Sequence, residues 1–199
     1  MSDMNIWTAL LLTVLFIALS GFFVAIEFAL VAARSYRLEH AAPTSASARA
    51  ALKSARDLSL LLAGSQLGIT LCTLALGAIS KPAFQHMLEP LFDGLPNAVG
   101  YVLSFTFALI IVTFLHLVVG EMAPKSWAIS HPEKSATALA IPMRVFMWVT
   151  RPALVMLNGT ANWFLRRVGV EAVDELTSGH SPDDVRELVE HSAKAGALD

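Results

Sequence analysis

Ionisable side chains are withheld from long parts of this chain. Between Met4 and Ala33 the only charge is Glu27, between Leu58 and Ser80 there is none, and between Gly94 and Gly120 there is no Asp, Glu, Lys or Arg and the only histidine is His116. Each stretch exceeds the ~20 apolar residues that carry a helix across a ~30 Å hydrocarbon core. None alternates polar and apolar positions as the strands of a lipid-facing barrel do. The pattern predicts three transmembrane helices, near 6–33, 58–80 and 99–120. A fourth apolar region, Ala136–Leu165, is interrupted by Pro142, Arg144, Arg151 and Pro152. Its Met143, Phe146, Met147 and Trp148 suit helices lying in the membrane interface, a reading favoured over a proline-kinked fourth span.

Composition agrees with the pattern. Of 199 residues, 55% are hydrophobic and only 15% charged, too few to cover the surface of a soluble domain of this length. The fold class expected is an all-α integral membrane domain. The balance excludes a disordered chain, a basic nucleic-acid binder and a disulfide scaffold, since Cys72 is the only cysteine. The opening Met1-Ser2-Asp3 has no positive region and the apolar run behind it is too long for a cleaved leader, so the first segment is expected to stay.

Charge placement predicts orientation. Arg34, Arg37, Arg49, Lys53 and Arg56 follow the first span, only Lys81 lies between the second and third, and all other Lys and Arg residues follow the third. On a three-span topology 13 of 14 basic residues therefore fall on one side. The positive-inside rule then puts the N-terminus outside and the C-terminal third in the cytoplasm. The expected organisation is a transmembrane core over 1–135, juxtamembrane interfacial helices over 136–170, and a cytoplasmic linker and helix over 171–199. In that tail, Ser181-Pro182-Asp183-Asp184 reads as a helix start and Gly196 as a stop.

Small and polar residues inside apolar helices supply the candidate chemistry. Ser20-Gly21, in the middle of the first helix, reads either as a point of local unwinding that bares carbonyls or, more readily, as a close helix contact. Glu27 follows seven residues later on nearly the same face, and an intramembrane acid points to an ion or proton path. Gly64 and Gly68 form a small-xxx-small pair for close packing. Beside them, Ser65, Gln66, Thr70 and Thr73 are either oxygen ligands or interhelical glue. Gly120-Glu121-Met122-Ala123-Pro124-Lys125 reads as a broken helix end that leaves a carboxylate beside unpaired carbonyls. Carboxylate, carbonyl and hydroxyl oxygens suit magnesium or sodium rather than softer metals. His116, alone in its helix, reads as a structurally bonded histidine, and no His/Cys spacing supports zinc.

Three segments together resemble one family. They are Ser20-Gly21-Phe22-Phe23-Val24-Ala25-Ile26-Glu27-Phe28-Ala29-Leu30, then Gln66-Leu67-Gly68-Ile69-Thr70-Leu71 with Gly77, then Thr113 to Ala128 around Gly120-Glu121-Met122-Ala123-Pro124-Lys125. In this order they resemble the CNNM/CorC transmembrane domain, closest to its hemolysin C-like bacterial branch. Val185-Arg186-Glu187-Leu188-Val189-Glu190 resembles the lead into that family's paired CBS module. The resemblance implies a homodimer of three-span subunits, girdled by juxtamembrane helices, in the bacterial inner membrane. It implies magnesium efflux coupled to sodium entry, with one dehydrated magnesium held in mid-membrane. Carried over by motif, the ligand positions are Ser20, Gly21, Gly120 and Glu121. The family's second-helix asparagines appear here as Ile69, Thr70 and Thr73, a departure from its ligand pattern, and Gln66 and Thr70 are counted with the metal positions as oxygen candidates of that helix.

A second reading is a non-transporting membrane scaffold or regulatory subunit that binds a partner membrane protein. It is motivated by the altered second helix and by the missing CBS pair. Membrane lipid is an expected partner on either reading, and nucleic acid is not. An enzyme is not expected, because Ser20 and His116 lie on different helices with no third triad member visible.

Overall fold

The computed structural model describes residues 5–169, and every described element is helical. The tail helix expected from Ser181 and the rest of the 171–199 linker lie outside the described residues. Helix α1 runs over Ile6–Ala32, α2 over Ser35–Ala41, α3 over Ala46–Arg56 and α4 over Leu58–Ala75. A π-helical turn at Leu76–Ser80 joins α4 to α5 (Lys81–Leu88), which a 3-10 turn at Glu89–Phe92 closes. Helix α6 spans Asn97–Leu115, a second π-helical segment covers His116–Met122, and α7 (Ala123–Ser130) continues it. Helix α8 covers Pro132–Arg167.

Four helical runs, Ile6–Ala32, Leu58–Phe92, Asn97–Ser130 and Pro132–Arg167, are long and apolar enough to cross a membrane. The chain is therefore a multi-pass membrane protein. Large apolar side chains stay exposed along α6, among them Val102, Phe105, Ile110 and Phe114. In water such a face would drive association, whereas in a bilayer it meets lipid.

Two expectations are corrected. Gly120 to Pro124 does not end its helix: the backbone widens to the i→i−5 register, in which the Ala123 N–H donates to the Val118 carbonyl, and continues to Ser130. A π turn makes room for a proline ring that would otherwise strike the carbonyl four residues back. Likewise Pro142 and Pro152 do not split the fourth region, since α8 runs unbroken through both. A proline removes one hydrogen bond and kinks a helix, and flanking turns held by packing keep it whole. Ala136, Ala140 and Met143 are fully buried there and supply that hold on the Pro142 side.

The chain divides into two compact units, Met1–Arg151 and Pro152–Asp199. In the second, the described residues show Trp163 edge-on to Phe164 at 4.9 Å, with Arg167 over the Trp163 ring at 5.4 Å. In the first unit, α1 is the hub. Phe23, Ala25, Ile26, Ala29 and Leu30 form a buried core with Leu61 and Cys72 of α4, Ala128 of α7 and Met143 of α8. Phe23 closes on the Phe146 ring at 4.6 Å and lies directly over Gly68, where a methyl group would fall 2.6 Å from its ring. Only a residue without Cβ lets α4 approach that ring, which is the close packing its small residues predict.

Helix α8 returns twice to the α2–α3 connector. Glu133 pairs with Arg37 of α2 at 3.7 Å, and Arg151 shares a cavity with Lys53 and Asp57 at the α3–α4 junction. At ~1.5 Å rise per residue those two points lie roughly 27 Å apart along the helix.

Candidate functional site

Thr13, Ser20 and Glu27 of α1 are seven residues apart, two helical turns each, so they stack on one face. Each meets a different partner segment. The Thr13 and Ser80 hydroxyls share a 2.7 Å hydrogen bond, Ser20 Oγ and His116 Nε2 share one of 2.9 Å, and the Ser65 hydroxyl donates to Glu27 Oε2 at 2.7 Å. Ser20, Ser65 and Ser80 are fully buried. A polar seam therefore runs along α1 beside the apolar core, with each buried hydroxyl satisfied.

The middle rung is the most elaborate. Opposite Ser20-Gly21 stands the second π segment, and glycines set the approach from both sides. A methyl group on Gly21 would lie 2.9 Å from Pro124 Cγ, and one on Gly120 would lie 2.8 Å from the His116 ring and 3.4 Å from the Ile17 carbonyl oxygen. Helix α1 itself passes through Ser20-Gly21 without unwinding, so here the glycine serves contact rather than breakage. The bared oxygen is on the other side. Pro124 has no N–H, so in the i→i−5 register the Val119 carbonyl lacks the donor it would otherwise have. That oxygen lies 3.6 Å from where a Gly21 Cβ would stand.

Ser20, Gly21 and Gly120 thus come together, and Glu121 follows in the same π segment with its side chain exposed on the single chain. Gln66 and Thr70 do not join them. The buried stripe of α4 is Leu61, Gly64, Ser65, Gly68 and Cys72, a helical i, i+3, i+4, i+7 pattern. Gln66 and Thr70 fall on an adjoining exposed face, and the Thr70 hydroxyl donates back to the Gln66 carbonyl at 2.8 Å. The polar residue that α4 turns inward is Ser65.

Thr13 and Ser80 escaped the sequence reading, although extending the seven-residue interval from Glu27 through Ser20 by one step lands on Thr13. The meeting of Ser20 with His116 across two helices supplies the partner of the histidine that the sequence reads as structurally bonded. Among the described residues no carboxylate hydrogen-bonds His116, so the pair lacks the orienting acid of a hydrolytic triad. Nor do three His, Cys, Asp or Glu side chains gather there as ligands. What the seam offers is hydroxyl and carbonyl oxygens with two carboxylates, Glu27 at one end and Glu121 beside the middle rung, a hard-oxygen set.

Sequence comparison supplies the family. The profile of the cyclin M transmembrane N-terminal domain (CNNM) matches residues 11–199. The chain belongs to the CNNM transmembrane domain family. It is 40% identical over 194 residues to UPF0053 protein YhdT of Bacillus subtilis (strain 168), covering 96% of this chain and 42% of that protein. It is 38% identical over 199 residues to the uncharacterized protein Rv1841c of Mycobacterium tuberculosis (strain ATCC 25618 / H37Rv), covering 98% of this chain and 56% of that one. The chain thus spans about half the length of these relatives.

Proposed function

We propose that this CNNM domain transports a divalent cation, magnesium in the first instance and outward with sodium as the coupled ion, through the seam between α1 and the second π segment. One observation carries the reading: a glycine-lined contact sets the α1 turn holding the buried, His116-bonded Ser20 and Gly21 against the segment of the proline-freed Val119 carbonyl, with the Glu121 carboxylate two residues on in that segment. Magnesium surrenders its water reluctantly, so carbonyls already stripped of partners suit it as replacement ligands. Ser20, Gly21, Gly120 and Glu121 are the proposed contact positions. Glu121 supplies the charge, and its exposure on the single chain suits a site completed across a homodimer. The His116–Ser20 bond must exchange for an Oγ–cation contact when the ion arrives.

A three-span topology, with α8 along the membrane surface, belongs to this proposal. Two points of α8 far apart along its axis both meet the connector between the first two spans, whereas a crossing helix would meet opposite sides. The N-terminus is then outside and the C-terminus cytoplasmic, in a bacterial inner membrane.

The test is Glu121→Gln. In proteoliposomes with a trapped magnesium dye the parent domain should move the ion, and the variant should lose flux while eluting and melting as the parent does. Equal flux in both would remove Glu121 from the site. A magnesium titration of thermal stability separates transport from the scaffold reading, because specific binding raises the melting temperature and a scaffold shows no ion dependence.

A further inference from the structure

The cavity where α8 meets the α3–α4 junction has a different chemistry from the seam. It holds about 280 Å³, near the lower bound of small-molecule pockets at about 300 Å³. Lys53 from α3 and Arg144 and Arg151 from α8 bring three cations to it, against one acid, Asp57. Among the described residues none of the three cations makes an ion pair, the two salt bridges being Arg37–Glu133 and His86–Glu89. Arg144, Met147, Trp148 and Arg151 follow the i, i+3, i+4, i+7 spacing of one helical face. The net charge is positive, the wall is aromatic and aliphatic, and the place is the end at which α4 begins its apolar run.

We infer that this cavity binds the phosphate of an anionic glycerophospholipid. Arg144 and Arg151 fork onto the phosphate oxygens, as guanidinium groups do best, and Lys53 adds a third donor from the opposite wall. A lipid rather than a free phosphate is favoured by what adjoins the cations. Leu60 and Met147 line the same cavity, while Trp148 is 79% exposed with Val145 and Val149 exposed beside it, an apolar flank on which acyl chains lie. Tryptophan at a span boundary is the usual interfacial anchor. Asp57 opposes the ligand and tunes the site downward. The inference is independent of the transported ion, because none of these residues belongs to the seam.

Native mass spectrometry of the full chain in detergent tests it, with phosphatidylglycerol, phosphatidylcholine or inorganic phosphate added. Phosphatidylglycerol should be retained over phosphatidylcholine. Each cation removed should weaken that retention about fivefold, the effect of one basic residue near an anionic membrane surface. Arg144→Gln with Arg151→Gln should therefore abolish the preference, while Lys134→Gln, an exposed charge outside the cavity, should preserve it. Lys53→Gln and Asp57→Asn, which leave α8 intact, should shift retention in opposite directions, down and up. Retention by the double variant equal to that of Lys134→Gln, or a shift of the same sign in Lys53→Gln and Asp57→Asn, overturns the site. Displacement of phosphatidylglycerol by millimolar inorganic phosphate overturns the lipid as its occupant.

Discussion

The two π segments are built alike and used differently. Both precede a proline by two residues, Leu76–Ser80 before Pro82 and His116–Met122 before Pro124, and both send one polar side chain to α1. Both also carry a glycine. Gly77 has nothing within 4 Å of the place its Cβ would occupy, whereas Gly120 is pressed against the His116 ring and the Ile17 backbone. The first segment is a relief turn that lets a helix absorb a proline. In the second, the same relief is packed against a glycine of α1, so the carbonyl that proline frees is held at a helix contact. What separates a tolerated irregularity from a candidate site is the neighbour, not the irregularity.

Substitutions at the glycines should separate the two segments most widely. Gly21→Ala and Gly120→Ala force a methyl group into contact with Pro124 and His116, and overpacking of this kind costs about 1–3 kcal/mol. Gly77→Ala meets open space and should gain about 0.5–1 kcal/mol from lost unfolded-state freedom. Reversible unfolding in mixed micelles reads both, and a destabilised Gly77→Ala would erase the contrast.

The prolines should give a smaller effect. Pro124→Ala returns an N–H that can cap the Val119 carbonyl, so it should reduce magnesium flux with little loss of stability, while Pro82→Ala leaves flux unchanged. Transport assays on the pair decide this, and equal flux in both variants would mean that the freed carbonyl has no role.

Smaller still are the hydroxyl rungs. Ser20→Ala strands His116 and should cost about 1 kcal/mol, within the range seen for hydrogen bonds between membrane helices. Thr13→Val should cost less, because Ser80 can turn to a carbonyl of its own helix. A thermal shift in detergent larger for Thr13→Val than for Ser20→Ala would reverse the ranking of the two segments.

The smallest effect lies outside the membrane and is a control for the seam. The Arg34 and Arg37 guanidinium groups hydrogen-bond the Tyr36 hydroxyl at 3.5 and 3.2 Å and hold its pKa below the ordinary value of about 10. Lowering a native pKa favours the ionised phenol in the folded chain. Its contribution to stability is therefore absent near neutral pH and grows as pH rises through the lowered pKa. An ultraviolet titration should show Tyr36 ionising early, and Arg34→Ala with Arg37→Ala should return its midpoint toward the usual value.

Much of this was legible in the order of residues. Runs empty of charge mark the helices, because a membrane tolerates few ionisable groups and the penalty is local to the chain. Gly64 and Gly68 announce close packing for the same reason. Gly120-Glu121 followed by Pro124 was misleading, since the triplet that punctuates a helix end also accompanies a widened turn. The change of register to i→i−5 lets the helix run on through the proline. The Ser20–His116 contact joins positions 96 apart in the chain, and it depends on how two helices are rotated about their axes, which local pattern does not encode. Which of the polar residues of α4 turns inward is hidden for a similar reason: in an apolar helix one position, Ser65 against Gln66, is about 100° of rotation, and hydropathy alone does not fix that phase.

The seven-residue ladder on α1 has a mechanical consequence. A rod pinned to its surroundings at three heights resists both swivelling and sliding, because either displacement disturbs all three pins together. Should the rod shift when cargo passes, it moves as a bolt does, from one seated position to the next, and Thr13, Ser20 and Glu27 are the teeth that must disengage in concert.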